Sequence, residues 1–126
     1  MKGHRDLIAW QKAMALVLAI YRAIRSFPRE ELYGLTQQIR RAAVSVPSNL
    51  AEDHGRTSRK DFHRFISQAR GSLVEVETQL EIARDLGYCD TKTAAELLDQ
   101  ASEVARLING LLQWSESELE AVTAQG

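Results

Sequence analysis

A chain of 126 residues with one cysteine and a net charge of −1 has the size of one ordinary domain, able to bury roughly two-thirds of its unfolded surface. The lone Cys89 excludes an internal disulfide, and no Cys/His spacing could assemble a four-ligand zinc site. No apolar run approaches the roughly twenty residues that span a bilayer, so a single cytoplasmic domain over residues 1–126 with no membrane partner is expected.

Charge is unevenly spread along that domain. Residues 1–39 hold six Lys/Arg against three Asp/Glu, residues 40–74 seven against three, and residues 75–126 three against eleven. The basic part either meets an anionic partner or pairs with the acidic part.

Leu7, Trp10, Met14, Val17, Tyr21 and Ile24 are spaced by threes and fours, which predicts a first helix over residues 7–27, closed by Pro28. A second apolar stripe, Leu16, Ile20, Ala23 and Phe27, exceeds what one bundle face requires, and Leu16, Ile20 and Phe27 are therefore candidate subunit-interface residues. A second helix is expected over 35–54, with Ile39, Ala43, Val46 and Leu50 inward and Pro47 kinking it. Ser58 caps a third helix, 59–86, in which Phe62, Ile66, Ala69, Leu73, Val76, Leu80 and Ala83 repeat without a miss and Gly87 terminates. A fourth helix over 91–114, capped by Asp90 or Thr91, precedes an acidic, fraying tail over 115–126. Three short connections between long helices give an all-α, antiparallel up-down-up-down four-helix bundle.

The stretch Gly34-Leu-Thr-Gln-Gln-Ile-Arg-Arg-Ala-Ala-Val-Ser-Val-Pro-Ser-Asn-Leu-Ala-Glu52 closely resembles the signature of the 23S ribosomal RNA intervening-sequence protein family, four-helix-bundle proteins. Phe62-His-Arg-Phe65, Gly71-Ser-Leu-Val-Glu-Val-Glu-Thr-Gln-Leu80, Leu86-Gly-Tyr88 and the opening Asp6-Leu-Ile-Ala-Trp-Gln-Lys12 extend the likeness over nearly the whole chain. A related group, the accessory variability determinants of diversity-generating retroelements, are pentameric bundles that bind a reverse transcriptase and nucleic acid. The resemblance therefore implies a cytosolic homo-oligomer, a pentamer, associated with RNA or DNA or with a nucleic-acid-processing protein. Where the family commonly has glycine after Ala-Glu, this chain has Asp53 and His54 before Gly55-Arg56, and the added acid lowers the charge of that end.

Two polar groups are candidate sites. Arg41, Ser45, Asn49 and Glu52 share a face of the second helix. Such a stripe could meet a ligand or RNA, but the preferred reading is a structural network with Glu75 or Gln79 and with carbonyls freed by Pro47. Arg40, adjacent to Arg41, is the one expected on display. The second group, Arg56, Arg59, Lys60 and Arg64, is a candidate nucleic-acid contact, its plainer reading being a solvated face. No Glu-x-x-His pair, glycine-rich phosphate loop or nucleophile elbow occurs, so no enzyme activity, metal or cofactor is expected. The reading is a noncatalytic homo-oligomeric scaffold. Its alternatives are a protein-interaction or self-assembly module without nucleic-acid affinity and an enzyme of unrecognised type.

Overall fold

Pro28 dictates where the first helix stops. A proline disfavours helical backbone in the residue before it, and Phe27 is extended, at φ −69° and ψ 146°. The computed structural model describes the backbone of residues 3–54 and 58–125, and side chains for 3–52 and 58–118. In it α1 (Ile8–Ala23) closes in a 3-10 turn, Ile24–Ser26, short of the expected residue 27.

Glu31 joins the next two connections. Its Oε1 accepts from the Leu35 N–H at 3.2 Å, capping α2 (Leu35–His54), and its Oε2 accepts from the Tyr88 hydroxyl at 3.0 Å. That hydrogen bond, together with burial, raises the Tyr88 pKa. A Cβ at position 34 would meet Glu31 Oε1 at 2.6 Å, so Gly34 leaves room for the capping carboxylate.

Ser58 accepts from the Asp61 N–H at 3.3 Å and starts α3 (Arg59–Asp85). At its other end Gly87, at φ 78°, donates to the Arg84 carbonyl while Tyr88 donates to that of Ala83. This is the reciprocal pair that a left-handed glycine after a helix makes. Asp90 Oδ1 then accepts from the Thr93 N–H at 2.7 Å and opens α4 (Thr91–Gln125).

The predicted end of the fourth helix at 114 is corrected: its 35 residues run to Gln125, about 50 Å at about 1.5 Å per residue. The added turns are held by α3. Ser115, 1% exposed, bonds His63, and Glu118 pairs with Arg59. Tertiary contact thus overrides the weak intrinsic signal of Ser-Glu-Ser-Glu.

Four long helices and no strand appear among the described residues, and each helix packs on the next, with α1 closing on α4. The core is aliphatic and rich in alanine: Ala9, Ala13, Ala42, Ala43, Ala69, Ala83, Ala94 and Ala101 are all buried. No described helix is long and apolar enough to cross a membrane.

On α1 the two apolar stripes exchange roles relative to expectation. Leu16, Ile20 and Phe27, the candidate interface residues, are buried inside the chain itself, with Ile20 at 0% exposure. Of the stripe assigned to the core, Ile24 is buried, Leu7 is partly covered, Trp10, Met14 and Val17 lie partly covered along the α1–α2 groove, and Tyr21 is exposed. The two stripes have the same period, and close approach of the helices favours the one beginning with Ala9 and Ala13.

Ile20→Glu should therefore unfold the chain rather than dissociate copies of it. A buried, unpaired carboxylate costs more than about 4 kcal/mol, and loss of the cooperative melt followed by circular dichroism checks this. Acid should weaken the α4 cap. The Thr93 backbone N–H, followed by the Thr93 hydroxyl, holds the Asp90 carboxyl below its ordinary 3.8. A depressed folded pKa gives stabilisation that is present above the ordinary value and lost as pH falls through the folded one. The melting-temperature advantage of the native chain over Asp90→Asn should accordingly shrink below pH 3.8.

Candidate functional site

The α2 polar stripe resolves into a short hydrogen-bonded chain beside an open groove. Asn49 Nδ2 donates to the Ser45 carbonyl and to Ser45 Oγ, both at 2.9 Å, and Ser45 Oγ lies 2.8 Å from Ser72 Oγ on α3. Asn49 thereby braces the α2 turn that contains Pro47, and Ser45 ties that turn to α3. Ser72 is the member that helix periodicity could not single out, because a lone serine on an otherwise regular stripe carries no signal.

The groove, about 440 Å³, is lined by Arg41, Ser45, Ser72, Glu75 and Gln79 with Gln38 and Ala42. Asn49 stands beside it, bonded within α2, and Glu52 is exposed farther along the helix. Arg41 and Glu75 are also exposed, so it is Arg41 rather than Arg40 that is on display. Arg40 has the opposite outcome to the display expected of it: it is half-buried, its guanidinium stands 5.7 Å from the Tyr21 ring centre, and its Nε is enclosed without a hydrogen-bond partner. Adjacent helix residues diverge by about 100°, and here the α1–α2 contact takes Arg40 because Tyr21 offers its ring face.

At the start of α3 the basic residues meet acids of their own chain. Arg59 pairs with Glu118 at 3.4 Å and Arg64 with Asp61 at 3.3 Å, Arg64 also lying 4.5 Å over the Phe65 ring. Lys60 is exposed, and Arg56 lies outside the described residues. Both ion pairs are surface pairs, worth about 0–1 kcal/mol and screened by salt, so a phosphate could compete for either guanidinium. Phe62 packs edge-on against Trp114 with ring centres 5.3 Å apart.

His63 and Ser115 form a pair that sequence spacing did not reveal, 52 residues apart and 2.9 Å between Nδ1 and Oγ. It has the partners of a nucleophile and base but not their arrangement. The Ser115 hydroxyl lies 2.9 Å from the Leu112 carbonyl, to which it donates, and a serine engaged there is not poised to give its proton to His63. A buried serine whose proton is already committed to a backbone carbonyl is a helix-packing contact. Cys89 is similarly unsuited to chemistry: burial first, then Asp90, pushes its thiol pKa up, which keeps it in the poorly nucleophilic protonated form. Among the described residues no three metal-binding side chains converge.

An uncovered apolar groove of about 350 Å³ lies between α1 and α2, lined by Trp10, Met14, Val17, Val44, Pro47 and Ala51 with His4 and Ser48. Leu18, Tyr21 and Val44 extend it as exposed side chains.

Residues 5–110 match the protein family described as 23S rRNA-intervening sequence protein. A crystal structure from Bacteroides thetaiotaomicron, described as a protein of unknown function from the S23 ribosomal protein family, has a similar fold. It superposes with a TM-score of 0.79 at 20% identity, covering 86% of this chain and 97% of that one. No curated protein matches.

The hydrogen-bonded chain predicts a contrast in stability. Asn49→Ala should cost about 1–2 kcal/mol, since it leaves Ser45 short of a donor, whereas Arg41→Ala should stay within about 0.5 kcal/mol. Urea denaturation of the two variants measures both.

Proposed function

The chain belongs to the 23S rRNA-intervening sequence protein family, and from that premise we propose that it is a noncatalytic, homo-oligomeric scaffold. The observation that carries the reading is the α1–α2 groove, where Trp10, Met14, Val17 and Val44 sit only partly covered on one chain. Large contiguous apolar patches on soluble chains mark interaction sites. The polar side chains support a noncatalytic reading, because Ser45 is bonded to Ser72 and the buried Ser115, although beside His63, directs its hydroxyl to the Leu112 carbonyl.

The scaffold is an antiparallel bundle in up-down-up-down order, its second helix kinked at Pro47. Support comes from α3 and α4, where the partner's number rises as the α3 number falls: His63 meets Ser115 and Arg59 meets Glu118. A proline inside α2 removes one backbone donor and crowds the preceding turn. Following the family resemblance, the proposed oligomer is a cytoplasmic ring of five copies.

Nucleic acid, or a protein that processes it, is the proposed partner of the end where α3 begins. Repeating Arg56, Arg59, Lys60 and Arg64 around a ring would build a field that one subunit lacks, so avidity converts weak phosphate contacts into useful ones. The pairs Arg59–Glu118 and Arg64–Asp61 favour the second reading, a self-assembly or protein-interaction module without nucleic-acid affinity, because they reduce that field.

Two measurements separate these readings. Light scattering of the purified chain should give a multiple of the 14.2 kDa monomer mass, and a monomer mass removes the scaffold. Titration with labelled single- and double-stranded RNA and DNA at low salt should give binding that falls steeply with salt through counterion release. That binding should weaken when Arg59 and Lys60 become alanine. Absence of binding to all four leaves the self-assembly module.

A further inference from the structure

The polar groove between α2 and α3 has bonding capacity left over after the contacts within the chain are made. At one end the Ser45 and Ser72 hydroxyls lie 2.8 Å apart, and Ser45 Oγ also accepts from Asn49. Whichever serine donates across the seam, that contact uses one hydroxyl hydrogen, and the other hydrogen has no acceptor among the described residues. Farther along the groove Gln79 Oε1 is enclosed, with no donor in reach. An enclosed oxygen without a partner keeps the full cost of losing water, which a bound donor removes.

Two opposite charges stand beside these groups. Arg41 is one helical turn from Ser45 on α2, and Glu75 is one turn from Ser72 on α3. Both are exposed and line the same groove, of about 440 Å³. Neither makes an ion pair with another described residue. The groove thus offers two kinds of donor, a guanidinium and a hydroxyl, and two kinds of acceptor, a carboxylate and an amide oxygen.

That set selects its ligand by exclusion. A simple anion would satisfy Arg41 but meet Glu75 and leave Gln79 Oε1 dry, and a simple amine or a metal ion would be repelled by Arg41. An apolar molecule would answer none of the four groups. Only a ligand carrying an anionic acceptor and a cationic donor close together answers all of them. We propose that the α2–α3 groove binds a free α-amino acid, with its carboxylate on Arg41 and the spare serine hydroxyl and its ammonium shared by Glu75 and Gln79 Oε1. The guanidinium fork matches a carboxylate, and an ammonium has three donors for its two acceptors. Exposed Gln38, two turns from Ser45 in the same groove, adds a neutral amide that suits a small polar side chain. The site lies within one chain, so it goes beyond the scaffold reading and stands whether or not copies associate.

The test titrates the full chain with L-glutamine to about 10 mM, followed by amide chemical shifts and by thermal unfolding. Shifts should cluster at the residues of the groove, and the melting temperature should rise with ligand, because the ligand joins two helices of the folded chain. L-Glutaminamide lacks the carboxylate and N-acetyl-L-glutamine lacks the ammonium, and each should bind about tenfold more weakly or worse. Arg41→Gln and Glu75→Gln should keep the native melt and lose affinity by a similar factor. Gln79→Met should leave the ligand-free melt unchanged or raised while weakening binding, a combination that a purely structural glutamine does not give. The proposal is overturned by the absence of groove shifts with L-glutamine, L-serine and glycine alike. It is equally overturned by an amide or acetyl analogue that binds as well as L-glutamine, or by native affinity in the Arg41 and Glu75 variants.

Discussion

The bundle depends on how closely its helices approach. Eight alanines line the interior, two on each helix, and alanine at a contact brings helix axes toward the short end of their usual 8–10 Å separation. Such a core has little room for rings. Of the aromatic residues only Phe27 is buried, while Trp10, Phe62 and Tyr88 are partly covered and Tyr21, Tyr33 and Trp114 are exposed. Large apolar side chains pushed to the seams between helices make the seams sticky, and the proposed function follows from that displacement. The narrow core and the uncovered grooves are two results of one packing choice.

Electrostatics adds direction to the sticky seams. Hydrophobic burial has no orientation of its own, and an apolar groove could meet a partner in any direction. The bias lies in the outer two helices, since α1 carries Lys12 and Arg22 with no acid and α4 carries six acids against Lys92 and Arg106, while α2 and α3 each balance. The charge imbalance that first suggested a nucleic-acid partner is partly met within the chain, where Lys12 of α1 pairs with Glu103 of α4. The phosphate reading is left with the start of α3, where Arg59 and Arg64 already hold weak partners.

What could be read from the sequence was whatever local chemistry decides. The α3 stripe, the Ser58 cap and the Gly87 terminus follow from spacing, a hydroxyl and a missing Cβ, and all three are present. What could not be read depends on which neighbour a residue meets. Two stripes on α1 share a period, and only packing shows that Ile20 is inside and Tyr21 outside. Arg40 and Arg41 differ by one position, and the Tyr21 ring decides between them. Ser72 and Ser115 take their roles from partners 27 and 52 residues away, distances over which no periodic signal survives. The extension of α4 past residue 114 is of the same kind, since the residues that hold it belong to α3.

The packing of α1 on α4 has a kinetic side. Most contacts in this bundle join helices adjacent in sequence, but Lys12 and Glu103 meet across the whole chain. Bringing such distant segments together costs more chain entropy than closing either neighbouring helix pair. The α1–α2, α2–α3 and α3–α4 hairpins can therefore assemble first, each around a short connection, while the contact of α1 with α4 waits for the others. The final seam to close is the one between the first helix and the last, and until it closes the alanine face of α1 remains in water.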